Sequence, residues 1–127
     1  MKKLLIFALL VAVLASGFVS TSVQAQTVSE CQALIDQTRA DLAGVQSIGG
    51  KDPAQTKANL DAKLVDASTK LAEGKFEDAI AKLVDFRMSV ESLAAAPKPK
   101  ISQEDAQLLI ADANNAIACI QGLIAEG

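Results

Sequence analysis

The chain has 127 residues, room for one domain. It holds 12 basic and 15 acidic residues, no His, Trp or Tyr, and only two cysteines. An acidic chain with scattered lysines repels nucleic acid and anionic lipid, and a chain without imidazole lacks the commonest general base.

The first segment reads as an export signal. Met1-Lys2-Lys3 is a short positive start, and Leu4 to Val19 is almost wholly apolar, broken only by Ser16-Gly17. The small residues Val23 and Ala25 predict cleavage after Ala25. The apolar run falls short of the roughly 20 residues of a comfortable span, so retention as an anchor is the lesser alternative. Cys31 follows Val28-Ser29-Glu30, which is not the small-residue context of a lipidated cysteine. The chain thus divides into a signal peptide over residues 1–25 and one domain over residues 26–127. Losing Lys2 and Lys3 leaves ten basic and fifteen acidic residues, a net charge of −5.

No period-two run of β-branched or aromatic residues predicts a strand. Four segments carry helical periodicity instead. The first starts at Thr27, where Thr27-Val28-Ser29-Glu30 has the capping-box pattern. Val28, Cys31, Ile35, Thr38, Leu42 and Val45 then draw one stripe, and Ile48-Gly49-Gly50 is the expected stop. The second opens at Asp52-Pro53, a cap followed by a proline tolerated in the first turn. Leu60, Leu64, Ala67 and Leu71 are its apolar line, and Gly74 ends it. The third starts near Lys75 or Phe76, with Glu77 and Asp78 in a first turn that favours negative charge. Phe76, Ala79, Ile80, Leu83, Phe86, Val90 and Leu93 are its expected buried line. Pro97-Lys98-Pro99-Lys100 cannot continue it. The fourth is capped by Ser102, with Asp105 three residues on and Ile101 placed to staple onto Ala106. Ala106, Leu109, Ile110, Ala113, Ala116, Ile117, Ile120 and Ile124 are its inward positions.

Short connections favour antiparallel neighbours, so the fold class is all-α, an up-down-up-down four-helix bundle. That order sets the start of the first helix beside the end of the fourth. Cys31 lies near that start and Cys119 near that end. With no odd thiol left over in an exported chain, the two read as one disulfide.

From Leu60 to about Leu123 the chain resembles the FIMAH domain, a helical module of bacterial secreted proteins. Lys70-Leu71, Gly74-Lys75-Phe76-Glu77-Asp78-Ala79-Ile80-Ala81-Lys82-Leu83 and Asp85-Phe86-Arg87-Met88-Ser89-Val90-Glu91-Ser92-Leu93 carry the first part of the resemblance. Lys100-Ile101-Ser102-Gln103-Glu104-Asp105-Ala106, Leu108-Leu109-Ile110 and Ala113-Asn114 carry the rest. The family pattern often has Ile after the Phe, where this chain has Arg87. The resemblance implies a non-catalytic accessory or binding module, here standing alone with an added first helix.

The residues give chemistry little to work with. The adjacent carboxylates Glu77-Asp78 and Glu104-Asp105 fall in first turns, where they complement the helix dipole. Phe76 and Phe86 lie on the apolar stripe rather than forming a platform for a sugar. No di-metal, thiolate–imidazole or haem-attachment pattern is present, and Gly49-Gly50-Lys51 lacks the rest of a phosphate loop. Lys57, Lys63, Lys70, Lys75 and Lys82 alternate with Asp61, Asp66, Glu73, Glu77 and Asp85, a mixed solvated face rather than a basic strip. The alanine-rich Leu93-Ala94-Ala95-Ala96 offers only a short surface to a second copy.

The reading is therefore an exported non-catalytic bundle, an interaction or accessory module of the periplasm or secreted fraction. Its expected partner is a protein of the envelope or of the medium, with no nucleic acid, no cofactor, no metal and no membrane once the signal is removed. The alternative is a carrier of a small apolar ligand between the helices.

Overall fold

The computed structural model describes residues 27–126, so the expected export signal and its cleavage site lie outside the described residues. Four helices follow one another: α1 (Val28–Gly44), α2 (Pro53–Ala72), α3 (Phe76–Ala95) and α4 (Gln103–Glu126). Among the described residues there is no strand.

The expected local signals set most helix ends. At α1 both halves of the capping box form: Glu30 N–H donates to Thr27 Oγ1 at 3.1 Å, and Thr27 N–H donates to Glu30 Oε1 at 3.0 Å. Asp52 caps α2 by accepting from Gln55 N–H at 3.1 Å, with Pro53 behind it. Gly74, at φ +79°, ends α2 in the left-handed conformation. There Lys75 N–H reaches Lys70 O and Gly74 N–H reaches Leu71 O, the paired bonds of a Schellman stop.

The end of α1 departs from expectation. The helix stops at Gly44, ahead of the expected Ile48-Gly49-Gly50, and Val45 takes an extended conformation at ψ 127°. Val45 and Ile48 are buried all the same, because the loop folds them over the end of the core. Gly50, at φ +98°, serves the turn into α2 rather than the end of α1.

Each helix packs on its chain neighbours, and α4 closes the square against α1. The direction is read from side-chain pairs: Gln32 meets Ser68 and Arg39 meets Asp61, so seven residues forward on α1 match seven backward on α2. The loop after α1 meets the loop after α3, where Gly49 N–H donates to Lys100 O at 2.9 Å. This is the up-down-up-down order. The core is Ile35, Leu42, Leu60, Leu64, Leu71, Leu83, Phe86, Val90, Leu109 and Ile120, with Phe86 its largest fully buried side chain. Ala67, Ala79, Ala113 and Ala116 are fully buried where a larger residue would hold the helices apart.

The stripes need three corrections. Val28 and Ile124 are more than a third exposed, since each lies in a terminal turn beyond the cover of its neighbours. Leu123 is buried where Ile124 was expected inward. Phe76, Ile80, Leu93 and Ile110 are only partly buried and rim the core.

Candidate functional site

The seam between α1 and α4 carries the most unusual chemistry. Its anchor is the disulfide Cys31–Cys119, with Cα atoms 5.6 Å apart. Both residues are buried, Cys31 completely. A covalent bridge of this kind belongs to an oxidising compartment, as expected outside the cytoplasm.

Further along the seam, Asp41 of α1 meets Asp112 of α4. Asp112 Oδ2 is buried, and no N–H or O–H of the protein donates to it. The group within hydrogen-bonding reach is the Asp41 carboxyl, which is itself only an acceptor unless one of the two acids is protonated. Burial first, the hydrogen bond with Asp41 next and the Asp41 charge last push the Asp112 carboxyl up to about 7. Asp41 Oδ1 also accepts from Gln37 Nε2 at 3.0 Å. The pair thus lies across the packed contact between α1 and α4.

At the far end of the seam, Ser47 links the loop after α1 to the start of α4. Its Oγ accepts from Ser102 N–H at 3.1 Å and donates to Asp105 Oδ2 at 2.7 Å. Ser102 Oγ accepts from Asp105 N–H at 3.1 Å. The expected cap at Ser102 forms, but the return arm runs from Ser102 N–H through Ser47 instead of directly to Asp105.

The other seam of α1, with α2, carries polar links. Arg39 holds Asp61 with two bonds, of 2.8 and 3.1 Å, and this hydrogen bonding raises the guanidinium above its ordinary value. Lys57 departs from the solvated face that its alternation with acidic residues predicts: its Nζ donates to Ala43 O at 3.1 Å and to Val45 O at 2.5 Å. The last turn of α1 has no basic residue of its own, so α2 supplies the cation its carbonyl end favours. A cleft of about 400 Å³ opens here between Leu42, Ala43, Ala54 and Ala58, rimmed by Arg39, Lys57 and Asp61. A second, of about 440 Å³, lies between the start of α3 and the end of α4, beside Phe76, Leu123 and Ile124.

Of the residues singled out in the sequence, the structure brings Cys31 and Cys119 together. Glu77-Asp78 and Glu104-Asp105 lie in the first turns of α3 and α4. Phe86 is buried, whereas Phe76 lines the second cleft. Among the described residues no three His, Cys, Asp or Glu side chains cluster to hold a metal ion. The sequence reading missed the Asp41–Asp112 pair. The available signal was Asp112 itself, a lone carboxylate inside the apolar run Leu108-Leu109-Ile110-Ala111-Asp112-Ala113.

No family model, curated protein or solved structure matches the chain.

Proposed function

We propose that this chain is an exported, non-catalytic helical module that binds a protein partner in the periplasm or outside the cell. The observation that carries this reading is a filled core closed by a disulfide across the first and last helices, which leaves recognition to the outer faces. These faces expose large apolar side chains, among them Val65 on α2, Met88 on α3, and Leu108 and Ile124 on α4. The FIMAH resemblance, which spans the later part of α2 together with α3 and most of α4, supports the same accessory role. The apolar N-terminal segment with its Lys2-Lys3 start and the disulfide support export.

The test is affinity capture from envelope and culture fractions with disulfide-bonded protein as bait, followed by the same capture with Val65, Met88, Leu108 or Ile124 changed singly to Lys. The reading expects one discrete partner, lost with one of these changes while the helical circular dichroism is kept. Recovery of the same proteins by all four variants and by reduced, unfolded bait would overturn it.

The α1–α2 cleft supports the carrier reading as an alternative, since its volume of about 400 Å³ lies within the range of small-molecule sites. Native mass spectrometry of freshly isolated protein separates the two readings: a retained small molecule favours the carrier.

A further inference from the structure

The feature of the fold that the interaction reading leaves unused is the acid pair in the α1–α4 seam. A buried carboxyl oxygen with no donor is a costly arrangement, and a second carboxyl opposite it makes matters worse when both are ionised. One proton removes both difficulties: it converts one acid into an O–H donor and cancels the repulsion. The cost could also be met by a cation, but the surrounding charges are committed elsewhere. On α1, Arg39 turns to Asp61 of α2. On α3, Arg87 donates to Asn114 Oδ1 at 2.8 Å. On α4, Asp105 is held by Ser47, and Glu104 is exposed. In the loops Lys51 is exposed and the stem of Lys100 lies against Gly50. Helix α2 does not pack on α4.

We propose that the α1–α4 seam is closed by a proton held between Asp41 and Asp112, so that the module tightens in mildly acidic surroundings and loosens along this seam as the surroundings become alkaline. On loosening, the proton passes to solvent water and leaves two carboxylates facing each other across the two helices. The Cys31–Cys119 bridge keeps the helices attached while this happens, so the change is a local parting rather than unfolding. An exported protein meets the pH of its surroundings directly, which gives such a catch something to sense. The chain has no histidine, so the interval between about pH 5 and pH 8 holds few other side chains able to produce the effect. This inference is independent of the partner, and its failure would leave the interaction reading untouched.

The experiment uses the disulfide-bonded protein without ligands. The carboxyl carbon of Asp112 is followed by NMR from about pH 3 to pH 9, and melting temperatures are taken between about pH 5 and pH 8 for the wild type, Asp112→Asn and Asp105→Asn, each with and without a chelator. The expected midpoint for Asp112 is near neutrality. The wild type and Asp105→Asn should lose several degrees of melting temperature on going from pH 5 to pH 8. Asp112→Asn should stay level, because its amide donates to Asp41 at every pH. A midpoint near the ordinary carboxyl value of about 4 would overturn the proposal, and that measurement stands even if the variant fails to fold. So would an Asp112→Asn profile parallel to the wild type. A chelator that lowers stability at neutral pH would show that a cation, not a proton, joins the pair, and would equally overturn it.

Discussion

The α carbons of Cys31 and Cys119 lie 5.6 Å apart although 88 residues separate them in sequence. They join the first turn of the first helix to the last third of the fourth, and nearly all of the bundle lies between them. The bridge therefore clamps the one helix contact in the ring that no loop enforces.

Removing the bridge should be costly. In the chain-entropy model a closed loop of this length contributes roughly 4.6 kcal/mol, before any relief of strain. Cys31→Ser and Cys119→Ser should each lose a large part of that in urea denaturation. A loss below about 1 kcal/mol in both would show that the core alone holds the ends together.

Phe86 and Met88 lie on the same helix but should respond differently. Phe86 is fully buried, and Phe86→Ala should cost about 3–5 kcal/mol through lost contacts and the cavity left behind. Met88 is 55% exposed, so Met88→Ala should fall within about 0.5 kcal/mol of the wild type. Equal losses at the two sites would contradict the packing of α3.

The Ser47 relay is testable by a double-mutant cycle. Ser102→Ala removes the α4 cap and should cost about 1 kcal/mol. Ser47→Ala unpairs Ser102 N–H and Asp105 together and should cost about the same. Because both act on one network, the double variant should lose less than the sum of the singles. Strict additivity would mean that Ser47 does not share the cap.

Stability should fall as pH rises between about 4 and 7. The sign follows from Asp112, whose carboxyl is pushed up to about 7 in the folded chain but has an ordinary value once unfolded. The folded state binds more protons in that interval, so the contribution is complete below the unfolded value and lost as pH passes the folded one. The solvent-facing part of the residue screens the effect, leaving on the order of 1–2 kcal/mol. Urea denaturation at a series of pH values measures it, and rising stability over the same interval would contradict the assignment.

What could be read from the sequence was local or covalent. The capping pair Thr27 and Glu30, the Asp52-Pro53 start and the Gly74 stop involve residues within one turn of each other, so spacing alone reveals them. The disulfide was legible because two cysteines permit only one intramolecular pairing. The apolar stripes followed from the helical period, and they failed at Val28 and Ile124, where burial depends on how far the neighbouring helices extend.

Tertiary packing decided the rest. Lys57 looked like any surface lysine until the α1–α2 crossing set it beside the open carbonyls of Ala43 and Val45. Ser47 looked like a loop residue until two loops met at one end of the bundle. The sequence by itself determined four amphipathic helices, their order and the bond that closes them, because those depend on period, caps and cysteine number. Only the folded structure decided that Asp41 and Asp112 face each other, because the meeting depends on the rotation and register of two helices far apart in sequence. Those are fixed by the summed packing of many apolar side chains and by no local signal in either helix.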